Sequence, residues 1–107
     1  MTQSSIATPI EGQAIYPCFI DGKDSQAADG RLIDVVCPSD GKVFASIPRG
    51  GKAEVDAAVS AARRAFDEGP WPRMSATERG RVLARMSELI LRDRESLALL
   101  EARDVGK

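Results

Sequence analysis

The chain has 107 residues, and its charge is nearly balanced: 15 Lys and Arg residues against 16 Asp and Glu residues give a formal net charge of -1. Apolar residues make up 43% of the sequence and aromatic residues 5%. This length fits one domain or less, and a chain of this size buries about 65% of the surface that its unfolded form exposes. The balanced charge and the few aromatic residues argue against a basic, base-stacking surface, so we expect no nucleic-acid partner.

The beginning of the chain shows no targeting or membrane signal. Residues 1–13 are small or polar without an apolar run, and Lys23 is the first positively charged side chain. Neither a signal peptide nor an Arg-rich transit peptide is therefore predicted. No apolar stretch reaches the length needed to cross a bilayer. We expect a cytoplasmic protein without a membrane partner, with a loose tail over residues 1–16 and an ordered region over residues 17–107.

The front half of the ordered region predicts a small antiparallel β region. Residues 19–22, Phe-Ile-Asp-Gly, predict a strand that enters a tight hairpin turn, because Asp-Gly readily adopts the positive φ angles of such turns. Two further strands are predicted over residues 31–36 and 42–47, and Pro38 and Pro48 follow their ends.

The rear half predicts three helices. The first opens at Gly50-Gly51-Lys52, and its apolar positions follow the three-and-four spacing of one helix face: Val55, Ala58, Val59, Ala62 and Phe66. The loop before it lacks the longer Gly-bounded segment and the Ser or Thr after Lys that a phosphate-binding loop needs.

The second helix is predicted to start at about Ala76, because Ser75 and Glu78 form a capping-box pattern. Its apolar face comprises Val82, Leu83, Met86, Leu89 and Ile90. Glu88 and Arg92 have the spacing of a favourable ion pair. The Arg-rich opposite face is interrupted by acidic residues, so we interpret it as a solvated face.

The third helix follows at Asp93, a residue that caps or kinks the preceding helix. Its apolar positions are Leu97, Leu99, Leu100 and Ala102, and the helix runs toward Gly106, a residue type that commonly ends helices.

In combination these segments resemble the aldehyde dehydrogenase superfamily, particularly members that oxidise small aliphatic, aromatic or amino aldehydes with NAD or NADP. The family-like stretches follow the family's order from about Cys18 to the end of the chain: residues 19–23, 36–43, 54–67, 71–74, 79–83 and 100–107. The resemblance implies the N-terminal part of an α/β fold. In it, antiparallel β-hairpins are followed by about three helices that pack on the dinucleotide-binding domain.

The resemblance also implies that the catalytic machinery lies outside this sequence. Complete members are several times longer, and their oxyanion-binding Asn, general-base Glu, nucleophilic Cys and nearly all of the dinucleotide site come later. We therefore assign no catalytic and no cofactor-binding residue to this chain. The expected function is that of a truncated N-terminal fragment, inactive alone, of an oxidoreductase whose full-length parent binds NAD or NADP. Its expected partner is the remainder of the enzyme or another subunit.

One family site maps onto the chain by resemblance. Some members bind a structural cation through oxygens that correspond to the carbonyl of Val36, the carboxylate of Asp104 and a group from later in the chain. Hard cations prefer such oxygen ligands. Cys37 stands where the family more often has Asn, and a helix-capping or Arg-pairing role for Asp104 is an open alternative.

The two cysteines, Cys18 and Cys37, are predicted to be reduced and structural. A nucleophilic role needs an activating base or a lowered pKa, and the sequence contains no His. Two cysteines without His also lack the tetrahedral ligand set of a zinc site.

The apolar helix faces leave a second functional hypothesis open. The chain would then be a non-enzymatic binding module that uses these faces to join a partner or a complementary fragment. Apolar helix faces of this kind are normally buried by packing against another part of a protein. Alone, the chain is therefore expected to self-associate, to repack or to unfold in part.

Overall fold

The computed structural model describes residues 14–107, which form a mixed α/β arrangement of short strands followed by helices. The strands are β1 (Ala14–Ile15), β2 (Cys18–Ile20), β3 (Lys23–Ser25), β4 (Leu32–Val36) and β5 (Val43–Pro48). The helices are α1 (Lys52–Glu68), α2 (Ala76–Arg92) and α3 (Arg94–Val105), and a 3-10 turn (Trp71–Arg73) joins α1 to α2. The predicted strands and the three predicted helices are confirmed. No helix within residues 14–107 combines the length and the apolar character that crossing a membrane requires.

Strands β2 and β3 form the predicted antiparallel hairpin, in which Cys18 pairs with Ser25. Both turn residues have positive φ, 55° for Asp21 and 73° for Gly22. Two successive positive φ angles are typical of the type I′ turn, whose twist matches that of the flanking strands. The Asp-Gly dipeptide therefore determines this hairpin locally.

The second sheet has the strand order β1-β5-β4. Strands β4 and β5 are antiparallel, as predicted, with an irregularity in register between Val35 and Val36. Strand β1 pairs with β5 in parallel, Ala14 opposite Ala45, and this pairing was not predicted. The strand lies in the segment interpreted as an N-terminal tail. Residues 1–13 of that tail lie outside the described residues, so the predicted boundary after residue 16 stays a prediction.

The core of the described region lies in and beside this sheet. Its buried apolar residues are Ala27, Leu32, Cys37, Ala45 and Pro48, and Ser46 on β5 is the buried polar one. Helices α1, α2 and α3 contain no buried residue. The apolar helix faces that the sequence predicted are therefore present but uncovered.

Local hydrogen bonds set the helix ends. Ser75 and Glu78 form the predicted capping box: the Ser75 amide donates to Glu78 Oε2 at 2.7 Å, and the Glu78 amide donates to Ser75 Oγ at 3.2 Å. Asp93 both ends α2 and begins α3. Gly106 ends α3 with a φ of 81°, as predicted for a C-terminal stop.

The predicted ion pair between Glu88 and Arg92 is wrong. Arg85 pairs with Glu88 at 3.0 Å, and Arg92 donates to both carboxylate oxygens of Asp93 at 2.9 and 2.8 Å. A two-point contact between guanidinium and carboxylate is stronger than a single one. Arg92 therefore pairs with the neighbouring Asp93 and not with Glu88. This contact holds the pKa of Asp93 below its usual value.

Candidate functional site

An open cleft of about 850 Å³ lies between the β4–β5 hairpin and the helices α2 and α3. We call it the sheet–helix cleft. Ten of its lining residues are apolar or aromatic: Tyr16, Ile33, Val35, Val36, Phe44, Ala45, Ile47, Ile90, Leu97 and Leu100. The other three are the acidic residues Asp34, Glu101 and Asp104.

Helix α3 contacts the β region at its C-terminal end. At its beginning, the Leu97 amide donates to the carbonyl of Asp93 at 3.0 Å, which is the first hydrogen bond of the helix itself. At its end, Gly106 lies against the turn between β4 and β5, so close that a Cβ atom at this position would be 2.9 Å from the Cβ of Pro38. Helix α3 therefore spans the cleft beside the sheet.

The two residues predicted as cation ligands, Val36 and Asp104, line the same cleft. They are far apart in the sequence, and the contact between α3 and the β4–β5 turn brings them into one site. Within residues 14–107, no group of three or more His, Cys, Asp and Glu side chains is placed to hold a metal ion. A carbonyl and a carboxylate are part of the six to eight oxygens that an ion such as Ca²⁺ takes. The proposed ligand role of both residues stays a prediction.

The two cysteines are free thiols, as predicted. Cys37 is buried, and its amide and carbonyl close the β4–β5 turn through hydrogen bonds with Lys42 and Gly41, each 2.8 Å long. Cys18 is half-buried on β2. Both thiols thus belong to the packing of the β region.

The glycine loop before α1 is closed by the protein's own carboxylate. The Gly51 amide donates to Glu54 Oε2 at 2.8 Å, and the Ala28 amide donates to Glu54 Oε1 at 2.7 Å. These bonds, first that of Gly51 and then that of Ala28, hold the pKa of Glu54 below its ordinary value. An anion at this helix end would compete with Glu54 for the Gly51 amide, which agrees with the interpretation of the loop as a helix entry.

A second apolar surface lies where α1 meets the β2–β3 hairpin. Phe19 and Ile20 lie there beside small α1 residues: Ala58, Ala61, Ala62 and Ala65. An ion pair of 2.9 Å between Arg64 and Asp21 links the helix to the hairpin turn. The outward apolar residues of the helices remain open to solvent: Val59 is 63% exposed, Phe66 69% and Leu83 58%.

Known proteins share both the sequence and the fold. A sequence profile of the aldehyde dehydrogenase family matches residues 25–107. The mitochondrial 10-formyltetrahydrofolate dehydrogenase of Homo sapiens is 43% identical over 91 residues, which cover 85% of this chain and 10% of that protein. The aldehyde dehydrogenase family 2 member C4 of Arabidopsis thaliana is 46% identical over 89 residues, which cover 83% of this chain and 18% of that protein.

Solved structures of aldehyde dehydrogenases also match the fold of this chain. The NAD-dependent aldehyde dehydrogenase from Sinorhizobium meliloti matches with a TM-score of 0.84 and 46% identity, over 89% of this chain and 19% of that chain. The Mycobacterium tuberculosis aldehyde dehydrogenase complexed with NAD⁺ matches with a TM-score of 0.80 and 35% identity, over 86% and 19%. The chain thus spans between 10% and 19% of these four relatives. It belongs to the aldehyde dehydrogenase family and forms the N-terminal part of that family's fold.

Proposed function

We propose that this chain serves as the N-terminal segment of an NAD(P)-dependent aldehyde dehydrogenase. The whole enzyme oxidises an aldehyde to a carboxylic acid through a Cys thiohemiacetal and hydride transfer. The segment contributes a structural layer and no catalytic residue. Family membership supports this proposal, as do the neighbours that are named NAD-dependent or were solved with NAD⁺.

The uncovered apolar helix faces are the observation that carries the proposal. Helices α1 and α2 have regular apolar faces, yet neither contains a buried residue. Burying apolar surface contributes about 25 cal/mol for each Å² removed from water. The exposed apolar faces of α1 and α2 are therefore suited to packing against the larger part of the family fold.

The thiols of the chain are poorly suited to the chemistry itself. Covalent aldehyde oxidation needs a reactive thiolate, donors for the oxyanion and a base that activates water. Cys37 is buried in the β region, Cys18 is half-buried, and the sequence has no His. We therefore expect no aldehyde oxidation by the isolated chain.

The partner in this proposal is the remainder of the enzyme polypeptide or another subunit. A cytoplasmic location is also part of the proposal. Some relatives are named as mitochondrial proteins, so localisation of the tagged protein in its own cell is the direct check.

A chimera tests the function. The full 107-residue chain replaces the matching segment of the Sinorhizobium meliloti relative, and NAD-dependent aldehyde oxidation is measured beside that of the unmodified relative. We expect activity within about tenfold of the unmodified relative, because the segment positions the fold without entering the chemistry. The relative with the segment deleted is the control and is expected to be inactive. A folded chimera without turnover contradicts the proposal.

The same exposed faces favour the second candidate, a non-enzymatic binding module. Sedimentation of the isolated chain over a range of concentrations distinguishes the enzyme segment from the binding module. The proposed function predicts self-association or partial unfolding, because the faces lack their cover. A dilute monomer that melts sharply and cooperatively would show that the chain is complete as a folding unit and would favour a stand-alone binding role.

A further inference from the structure

The chain contains three Asp-Gly dipeptides, and each lies in a turn or loop of the β region: Asp21-Gly22, Asp29-Gly30 and Asp40-Gly41. Asp-Gly is the dipeptide at which aspartate isomerises most readily, because glycine has no side chain to shield its amide nitrogen. All six residues are exposed, and all three glycines have positive φ angles. Exposure and residue type therefore do not distinguish the three dipeptides, but their hydrogen bonds do.

The glycine amides of the second and third dipeptides are tied to buried residues. The Gly30 amide donates to the carbonyl of Ala27 at 2.9 Å, and the Gly41 amide donates to the carbonyl of Cys37 at 2.8 Å. Both acceptor residues are buried. A bonded amide has to break its hydrogen bond before its nitrogen attacks a carboxyl group, so local opening controls the reaction at these two sites.

The carboxylates of these two dipeptides are bound as well. Asp29 Oδ1 accepts from the Arg31 amide and Asp40 Oδ1 from the Lys42 amide, each at 2.9 Å. Each carboxylate thus holds the backbone of its own turn, a bond pattern typical of Asp in turns. Both reacting groups, the glycine amide and the aspartate carboxylate, therefore have to be released before these dipeptides react.

The first dipeptide is less restrained. Within residues 14–107, the Gly22 amide donates no hydrogen bond, and the Asp21 carboxylate pairs with the side chain of Arg64 at 2.9 Å. Both side chains of this pair are more than half exposed, so the pair stabilises the turn only weakly. Strands β2 and β3 have three residues each and form a sheet of their own. A hairpin of this kind is marginally stable by itself and opens easily.

We propose that Asp21-Gly22 is a site of spontaneous aspartate isomerisation in this protein and that Arg64 protects it. The free Gly22 amide supplies the attacking nitrogen, and the ion pair opposes the attack because the Asp21 carboxylate has to leave the guanidinium before it reacts. Asp21 also has a φ of 55°, a region that residues other than glycine seldom occupy.

The reaction requires only water. The amide nitrogen of Gly22 attacks Cγ of Asp21, and a C–N bond forms while the carboxyl group loses its hydroxyl, which leaves as water with the amide proton. Water then adds to the main-chain carbonyl carbon of Asp21 in the resulting succinimide and breaks the bond of that carbon to the Gly22 nitrogen. The chain now continues through the side-chain carbon, as isoaspartate. Nothing is oxidised or reduced, and the composition of the protein is unchanged.

Isomerisation releases the hairpin from α1. Isoaspartate lengthens the main chain of the turn by one carbon, so the type I′ geometry that matches the twist of β2 and β3 is lost. The free carboxylate moves to the other carbonyl carbon of Asp21, away from the position in which it pairs with Arg64.

Incubation of the full chain at neutral pH, in buffer and in concentrated urea, tests the site. Trypsin places each dipeptide in a peptide of its own, residues 1–23, 24–31 and 32–42. An isoaspartyl methyltransferase marks isoaspartate, and electron-transfer fragmentation of the peptides locates it. We expect the rate at Asp21 in buffer to lie within about threefold of its rate in urea, and the rates at Asp29 and Asp40 to fall at least about tenfold below theirs. The same ratio of the two rates at all three sites would overturn the proposal.

Arg64→Gln tests the protection, and Arg63→Gln is the matched control because Arg63 pairs with Asp67 on the same helix. We expect isomerisation at Asp21 to be about threefold faster in Arg64→Gln, as the loss of an exposed ion pair allows, and unchanged in Arg63→Gln. Equal rates at Asp21 in the two variants, or a similar acceleration at Asp29 in Arg64→Gln, would overturn the protective role of Arg64. These measurements require no enzyme activity, so their outcome is independent of the proposed function.

Discussion

The amide of Ala28 donates a hydrogen bond of 2.7 Å to Oε1 of Glu54, 26 residues further along the chain. The other oxygen of this carboxylate accepts from the Gly51 amide at 2.8 Å. One side chain thus caps α1 and also connects it to the loop between β3 and β4. Helix α1 and the β region depend on this carboxylate for part of their connection.

We expect this connection to be sensitive to acid. The pKa of Glu54 is lowered by the bonds from Gly51 and Ala28, so the folded state binds a proton less readily than the unfolded state. The contribution to stability is therefore present above the unfolded pKa, about 4.3, and is lost as the pH falls through the lower folded pKa. Glu54→Gln should lower stability at neutral pH and flatten this acid dependence. Urea unfolding followed by circular dichroism between about pH 3 and pH 7 measures both effects.

Glu68→Gln is the control for this substitution, since Glu68 lies at the other end of α1 and is exposed. It should leave the acid dependence unchanged. If the Glu54→Gln protein and the unsubstituted chain lost stability in parallel below about pH 4.3, the connecting role of Glu54 would be wrong.

The capping box at the start of α2 supports a second prediction. Ser75→Ala removes the hydroxyl that accepts from the Glu78 amide and should cost about 1 kcal/mol of unfolding free energy. Ser87→Ala, in the exposed interior of the same helix, should change stability by less than about 0.5 kcal/mol. Equal urea midpoints for Ser75→Ala and the unsubstituted chain would contradict the capping role.

The end of α3 supports a third prediction, for which the chain supplies its own control. Gly106 and Gly30 have positive φ angles of 81° and 71°, so alanine at either position is strained by about 1–2 kcal/mol. A Cβ at Gly106 additionally meets Pro38 at 2.9 Å, whereas a Cβ at Gly30, in the loop before β4, meets nothing within 4 Å. Gly106→Ala should therefore loosen the contact between α3 and the β4–β5 turn, and Gly30→Ala should not.

Amide hydrogen exchange in the last turn of α3 measures this difference. We expect at least about tenfold faster exchange in Gly106→Ala than in Gly30→Ala, because α3 then opens locally. Similar exchange in the two proteins would show that the contact with Pro38 does not hold the end of α3.

The sequence by itself determined the elements whose cause is local. The Asp21-Gly22 turn, the Ser75 and Glu78 capping box and the Gly106 helix end depend on neighbouring residues, and all three appear as predicted. The three helices were also predicted from the sequence, because the spacing of apolar residues along a helix is a local pattern. The choice of Asp93 over Glu88 by Arg92 was missed, because side-chain geometry at a helix end decides it.

Only the tertiary structure decided the contacts between distant parts of the chain. Two residues of β1 carry too little pattern to predict a parallel pairing with β5. The bond from Ala28 to Glu54 depends on where a loop lies, and the cleft shared by Val36 and Asp104 depends on where α3 ends. Resemblance to a family placed those two residues in one site, whereas spacing could not. Contacts of this kind arise when folding closes long loops, and their energies come from surfaces that meet only then.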